Sequence, residues 1–400
     1  MKRVSGRIAP TRRTKLPPLL VLVLAAIFAT NLHAAPVGGD SSFEQAANAA
    51  VDRVAREDGF SGAILVARGD QVLLRRAAGF ADRERKIPNT PGTKFSIESI
   101  TKQFTAAAIL VLVQDGKLAL SDSILKYYPG TPQAWRAITI KELLTHSSGI
   151  DDCSCSPEKG FTSYEDFIRL SEPQPLAFPP GKDFLYSNAG YALLTAAVER
   201  ASGERYADFM TRRVFEPLGL RNTRSGPIPG DVVKGYIRSA VAGRETWRLG
   251  HPENLAVMGG VGSITSTVDD MLAWNRALQG DKLLSSASRK AMFTDYGHNY
   301  GFGWRFAAKF GRQLIWHTGA YPIAGHASLL DSFPQERLTV VALTNNTGLT
   351  NASATLTIGG KPMTFPANAT RELVDEIESL YFTGRPARRQ SGLPASPSST

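Results

Sequence analysis

The sequence predicts an α/β (α+β) protein in which an antiparallel sheet is built from both ends of the chain and flanked by helices, with a mainly helical second lobe between them. Three observations predict it. Strand-like blocks broken by turn residues lie near the two ends. The long middle is a succession of helical stretches, several closing on glycine, a common helix stop. Connections within the end blocks have hairpin length, too short for parallel crossovers. A chain of 400 residues has ample material for a core, and 42% hydrophobic with 20% charged residues is the composition of a soluble globular enzyme.

The first segment reads as an export signal over residues 1–35. Lys2, Arg3, Arg7, Arg12, Arg13 and Lys15 precede the apolar run LLVLVLAAIFA at 19–29, and small residues follow near Ala34 and Ala35. That run is shorter than the ~20 residues of a spanning helix and has the shape of a signal peptide. The expected destination is periplasmic or secreted, with a membrane anchor only if the segment stays uncleaved. These six cations account for most of the net charge of +10. The high pI is therefore a property of the N-terminus, and no nucleic-acid partner is expected.

FEQAANAAVDRVARE (43–57) reads as a leading helix, and 61–79 as two strands joined at Arg68–Gly69–Asp70–Gln71. Segments 301–310, 312–319, 325–332 and 337–346 have strand composition, and 369–382 reads as a closing amphipathic helix. The sheet lobe is expected over about 43–95 and 296–382, the helical lobe over about 96–295, and a disordered Pro/Ser/Arg-rich tail over 384–400. Cys153 and Cys155, the only cysteines, are too few for a disulfide scaffold or a four-cysteine zinc site. No cofactor or metal is expected.

Ser-x-x-Lys occurs at Ser99/Lys102, Ser123/Lys126 and Ser156/Lys159. Ser156 precedes a proline, and Ser123 lies in a short segment that Pro129 ends. Only Ser99 begins a long apolar helix. Residues three apart share a helical face, and the helix N-terminus offers backbone N–H groups and a partial positive charge to an oxyanion. Two more elements accompany it. Tyr186-Ser187-Asn188 is the only Tyr-x-Asn, and His317-Thr318-Gly319, on a predicted strand, is the only His/Lys-Thr-Gly.

With these three motifs in this order, the chain resembles the penicillin-recognising serine hydrolases: class C β-lactamases, D,D-peptidases, and related esterases and D-amino-acid peptidases. DGKLALSDSILKYYPG, ITIKELLTHSSGI, VFEPLGLRNT and GGVGSITSTVDDMLAW resemble that family too, so the likeness covers about residues 43–382. The resemblance implies a β-lactamase/transpeptidase-like fold and an acyl-enzyme mechanism. Ser99 would be the nucleophile, and Lys102 would be held partly neutral to take its proton. Tyr186 would be a second proton carrier, and Asn188 would fix Lys102 or a substrate carbonyl. Thr318 and Gly319 would line the cleft edge, and the N–H groups of Ser99 and Ala320 would form the oxyanion hole. Position 317 departs from the β-lactamase pattern, where lysine is usual. Histidine titrates near neutrality, which weakens the permanent cation that holds an antibiotic carboxylate. His-Thr-Gly resembles D,D-peptidases and esterases more.

Other residues receive plainer readings. His146 is expected to be a structural loop histidine, and the glycines of 259–263 let backbone pass close to the cleft, with Ser263 a nearby hydroxyl. Asp151 and Asp152 read as a solvated acidic turn. Asp269 and Asp270 read as a helix start, and the aromatic residues of 301–316 as sheet core. The sequence thus predicts a serine hydrolase of D,D-peptidase-like or esterase type. Its substrate would be a small molecule or peptide: an ester, a D-amino-acid peptide or a β-lactam. A class C-like β-lactamase and a non-catalytic sensor of peptidoglycan fragments or penicillin are the alternatives. The motifs do not fix the bond type or the oligomeric state.

Overall fold

Gly62–Arg68 (β1) is buried from Gly62 through Ala67, as a strand covered on both faces requires. Gln71–Ala78 (β2) follows after a turn in which Gly69 has φ 56°. Six further strands complete one sheet: Arg305–Lys309 (β3), Arg312–Tyr321 (β4), His326–Phe333 (β5), Leu338–Thr344 (β6), Ser353–Ile358 (β7) and Lys361–Pro366 (β8). The spatial order is β8-β7-β3-β4-β5-β6-β1-β2, antiparallel throughout. Gly62 lies opposite Thr344 and Arg68 opposite Leu338, so the two chain ends meet between β1 and β6, one strand in from the β2 edge. The antiparallel sheet predicted from both ends is present.

The computed structural model describes residues 36–152, 162–226, 233–241, 244–251, 255–348, 353–358, 361–366 and 368–387. The predicted signal segment, Cys153, Cys155, Ser156 with Lys159, and all but the first four residues of the predicted tail lie outside them. The described residues fall in one compact unit, His33–Thr400. None of the helices among them is long and apolar enough to cross a membrane.

Six helices position the site: α1 (Asp40–Glu57), α2 (Thr101–Gln114), α3 (Asn188–Ser202), α4 (Gly259–Gly262), α5 (Val268–Gln279) and α6 (Ala369–Thr383). The period-two alternation of β1 sorts its side chains between two cores. Ile64 and Val66 face α1 and α6, with Phe43, Val51, Val54, Leu373 and Ile377. Ala63, Leu65 and Ala67 join a core shared with Phe104, Leu193 and Trp274 of α2, α3 and α5. Phe104 and Trp274 stack at 3.8 Å. The sheet is thus sandwiched between the terminal helices and the helical middle.

Three features differ from expectation. Tyr236–Val241 and Arg244–Leu249 pair as an antiparallel hairpin inside the middle region. The strand expected to start at 301 starts at Arg305, because Gly301 to Trp304 form a turn with Gly303 at φ 75°. The β7–β8 hairpin widens the sheet where no strand was predicted.

Candidate active site

The apolar run of α2 is buried all round, as a core helix must be. From Phe95 to Leu112 only Ser99 is not buried. It sits in a 3₁₀ turn, Glu98–Ile100, that runs straight into α2. Glu98 holds φ 51°, a left-handed value that costs a non-glycine residue energy. The surroundings hold it there. Ile97 N–H donates to the Ile264 carbonyl at 2.9 Å, and Ser328 Oγ donates to the Ile97 carbonyl at 2.7 Å. Gly319 of β4 packs directly against the turn: a Cβ at 319 would lie 2.3 Å from the Ile97 carbonyl oxygen and 2.6 Å from Glu98 Cβ. Glycine at 319 is therefore a packing requirement.

Lys102, one helical turn on, is fully buried. Its Nζ lies 3.1 Å from Ser99 Oγ, 3.0 Å from Asn188 Oδ1 and 3.0 Å from the Val261 carbonyl oxygen. Three acceptors thus surround one nitrogen, and the Ser99 hydroxyl is one of them. Asn188 is the first residue of α3, and Val261 lies in α4. The α4 backbone passes close as expected: Gly259 has φ 45°, and Gly260 N–H donates to Thr195 Oγ1 at 2.8 Å.

Tyr186 precedes α3, with its ring centroid 5.0 Å from Lys102 Nζ and 5.4 Å from the Arg305 guanidinium. The start of α3 is secured by Asp152, which was expected to be a solvated acid. The structure corrects that. Asp152 accepts from Ser187 Oγ at 2.9 Å and from the Asn188 and Ala189 N–H groups at 2.7 and 2.9 Å. It satisfies the orphan donors of the helix and complements its dipole. Asn188 is thereby held against Lys102.

His146 is buried and structural, as expected, and its hydrogen bonds reach the site. Ser187 N–H donates to His146 Nδ1 at 3.0 Å, so the ring proton is on Nε2, which faces Tyr300 Oη at 3.2 Å. The Tyr300 hydroxyl then donates to His317 Nε2 at 3.1 Å. The His317 proton is left on Nδ1, 2.6 Å from the Thr318 carbonyl oxygen. One directed chain fixes both tautomers. Burial, with the Lys102 and Arg305 charges nearby, pushes both imidazoles well below their usual range. His317 is therefore neutral and does not supply a titratable cation near pH 7.

A consequence follows for stability. The histidines take up protons more readily in the unfolded chain, where the ordinary value near 6.5 applies. Their contribution is complete above that pH and is lost as the pH falls towards the folded values. The expected slope is about 1.4 kcal/mol per pH unit for each histidine. Urea titrations from about pH 7 to about pH 5.5 should show a shallower decline in His317→Gln than in the parent. Equal slopes would contradict the neutral assignment.

Beyond Trp316, β4 has lost its β3 neighbour but still pairs with β5 as far as Tyr321. Thr318 and the exposed Ala320 thus lie on a stretch of strand with one side unpaired among the described residues, free for an extended substrate. Arg305, at the start of β3, is half-buried over the Tyr186 and Tyr300 rings, each at 5.4 Å. Sequence reasoning missed Asp152, Tyr300 and Arg305. The rival Ser123 caps a short turn by accepting from Leu125 N–H at 3.3 Å, and Lys126 pairs with Asp122 at 2.9 Å.

The chain is similar to known proteins. The family model described as Beta-lactamase matches residues 46–358. The putative penicillin-binding protein PbpX of Bacillus subtilis is 30% identical, the match covering 75% of this chain and 74% of that protein. The D-aminopeptidase of Brucella anthropi is 26% identical over 72% of this chain, and the match covers 57% of its length. The crystal structure of a penicillin-binding protein from Bacillus halodurans superposes with a TM-score of 0.66 at 27% identity, covering 74% of this chain and 95% of that one.

Proposed function

Because this chain belongs to the Beta-lactamase family of serine hydrolases acting by acyl transfer, we propose that Ser99 is its acyl-accepting nucleophile and that it cleaves peptides or amides of D-amino acids. The observation that carries the reading is the setting of Lys102, 3.1 Å from Ser99 Oγ with two other acceptors to hold its N–H groups. Ser99 Oγ attacks the substrate carbonyl carbon and its proton passes to Lys102. The Ser99 and Ala320 N–H groups hold the oxyanion. As the C–N bond breaks, Lys102 and Tyr186 return a proton to the leaving amine. Water then cleaves the acyl-enzyme and restores the Ser99 hydroxyl.

The choice of bond rests on the D-aminopeptidase likeness and on the neutral His317. An ester would pass through the same steps. A class C-like β-lactamase is disfavoured, because the side chain at 317 brings no charge to an antibiotic carboxylate. We also infer export to the periplasm or medium from the basic and apolar residues before Ala35.

The test is intact mass after brief exposure to a fluorophosphonate, a fluorescent penicillin and p-nitrophenyl acetate, with Ser99→Ala as control. The expected result is an adduct on the parent alone, followed by turnover of D-aminoacyl amides. No adduct on folded protein would leave the non-catalytic sensor as the reading. Arg305 is the cation expected to meet a substrate carboxylate. Arg305→Ala should lower kcat/KM for a peptide acid relative to its amide by about tenfold or more. An unchanged acid-to-amide ratio would remove that role.

A further inference from the structure

A cavity of about 820 Å³ opens in the helical part of the chain, and none of Ser99, Lys102, Tyr186, Asn188 or His317 lines it. Its volume lies within the about 300–1,000 Å³ of small-molecule sites. One wall is apolar, made by Tyr164, Tyr206, Phe215 and Leu220. Phe215 closes a π-helical turn, Thr211–Phe215, a local widening found often at functional sites.

The charges around the cavity are unevenly committed. Arg205 pairs with Asp208 at 2.7 Å. Glu199 accepts from the Tyr164 hydroxyl at 2.5 Å and from Tyr206 N–H at 2.8 Å. Arg221 and Arg224 are exposed on the rim, and neither has an ion-pair partner among the described residues. Among the described residues Glu216 and Glu199 have no ion-pair partner either, and the lining as a whole carries three arginines and three acids. What marks a place for an anion is the pair of exposed, uncommitted guanidiniums, whose forks suit a carboxylate.

The floor connects the cavity to the nucleophile's neighbour. Gly259 and Ser263, at either end of α4, line it, and Ser263 Oγ lies 2.7 Å from Ser225 Oγ. Between them, the Val261 carbonyl oxygen accepts from Lys102 Nζ. The wall residue Tyr206 has its hydroxyl 2.8 Å from Thr105 Oγ1, and Thr105 donates to the Gly260 carbonyl at 2.8 Å. Thr195, also on the wall, takes the Gly260 N–H. This segment has no slack: a Cβ at 260 would lie 2.7 Å from both threonine hydroxyls.

We propose that this cavity is a second ligand site, for a peptide-sized carboxylate with an apolar side chain, and that its occupation shifts α4 and so changes how Val261 holds Lys102. The carboxylate pairs with Arg221 and Arg224. The side chain lies on Tyr164, Phe215 and Leu220, and the Ser225–Ser263 hydroxyls meet the peptide groups. The binding half is independent of any chemistry at Ser99. The coupling half rests on the hydrolase reading.

The probe is N-acetyl-L-phenylalanyl-L-alanine, with its C-terminal amide as control, titrated calorimetrically into full-length Ser99→Ala protein. The acid is expected to bind about tenfold more tightly than the amide. The advantage should vanish in Ser99→Ala carrying Arg221→Ala and Arg224→Ala, exposed changes that leave the core intact, and in Ser99→Ala carrying the cavity-filling Ala207→Trp. In the parent, the acid should change turnover of p-nitrophenyl acetate by about fivefold or more, and in the double arginine variant it should not. Equal binding of acid and amide, no binding, or binding that survives both sets of changes would overturn the site. Binding with unchanged ester turnover would overturn the coupling. Failure of all ester turnover in the parent would count against the hydrolase reading and leave the binding result standing.

Discussion

Lys102→Ala is expected to slow acylation of Ser99 by about 10²- to 10⁴-fold, the usual worth of a positioned proton acceptor. Among the described residues no other basic side chain is within hydrogen-bond distance of the Ser99 hydroxyl, which lies against the Lys102 amine. The change also strands Asn188 Oδ1 and the Val261 carbonyl, costing about 1–3 kcal/mol for each buried polar group left without a partner. A burst experiment with p-nitrophenyl acetate, read beside thermal unfolding, separates the two effects. Acylation within tenfold of the parent in a folded variant would remove Lys102 from the proton path.

Gly319→Ala is the second large effect. The added methyl group would lie 2.3 Å from the Ile97 carbonyl oxygen and 2.5 Å from Ser328 Oγ. Neither can retreat easily, because those two atoms already bond one another at 2.7 Å. Overpacking of this kind costs about 1–3 kcal/mol. The displaced turn carries Ser99, so kcat/KM is expected to fall by about 10²-fold, as for a misplacement of about 1 Å. Ala320→Ser, an exposed change on the same strand, should be tolerated in stability. A Gly319→Ala protein with parental melting temperature and turnover would show that β4 does not seat the turn carrying Ser99.

How far these features were legible depends on the distance over which each is determined. Ser99 and Lys102 are one helical turn apart, so their shared direction is visible in the sequence. The hairpin at Gly69 is likewise local. Asp152 binds a helix that begins 36 residues later in the chain, and nothing in DD before a loop announces it. Tyr300 reaches His146 and His317 from a turn after a left-handed pair, His298 and Asn299. Its hydroxyl has meaning only once β4 and the His146 loop are brought together. Glu98 gave no hint of its backbone, since left-handed geometry is signalled by glycine or asparagine and not by glutamate. The strands at 353–366 flank Gly359 and Gly360, a turn cue that by itself marks no flanking strand. YIRSAV and RETWRL mix charged and apolar residues, which hid a hairpin among helices.

The adjacency of β1 and β6 sets the timing of assembly. Gly62 must find Thr344 before β1 and β2 can join the sheet, and closing so long a loop is slow. A chain emerging from the ribosome therefore carries Ser99 and Lys102 long before it carries the strands that seat them. Gly319 and Ser328, which fix the turn carrying Ser99, are synthesised more than two hundred residues after it. The nascent polypeptide is expected to be inert through most of its synthesis. Hydrolytic competence then appears late and all at once, when the last third of the polypeptide is free to pair.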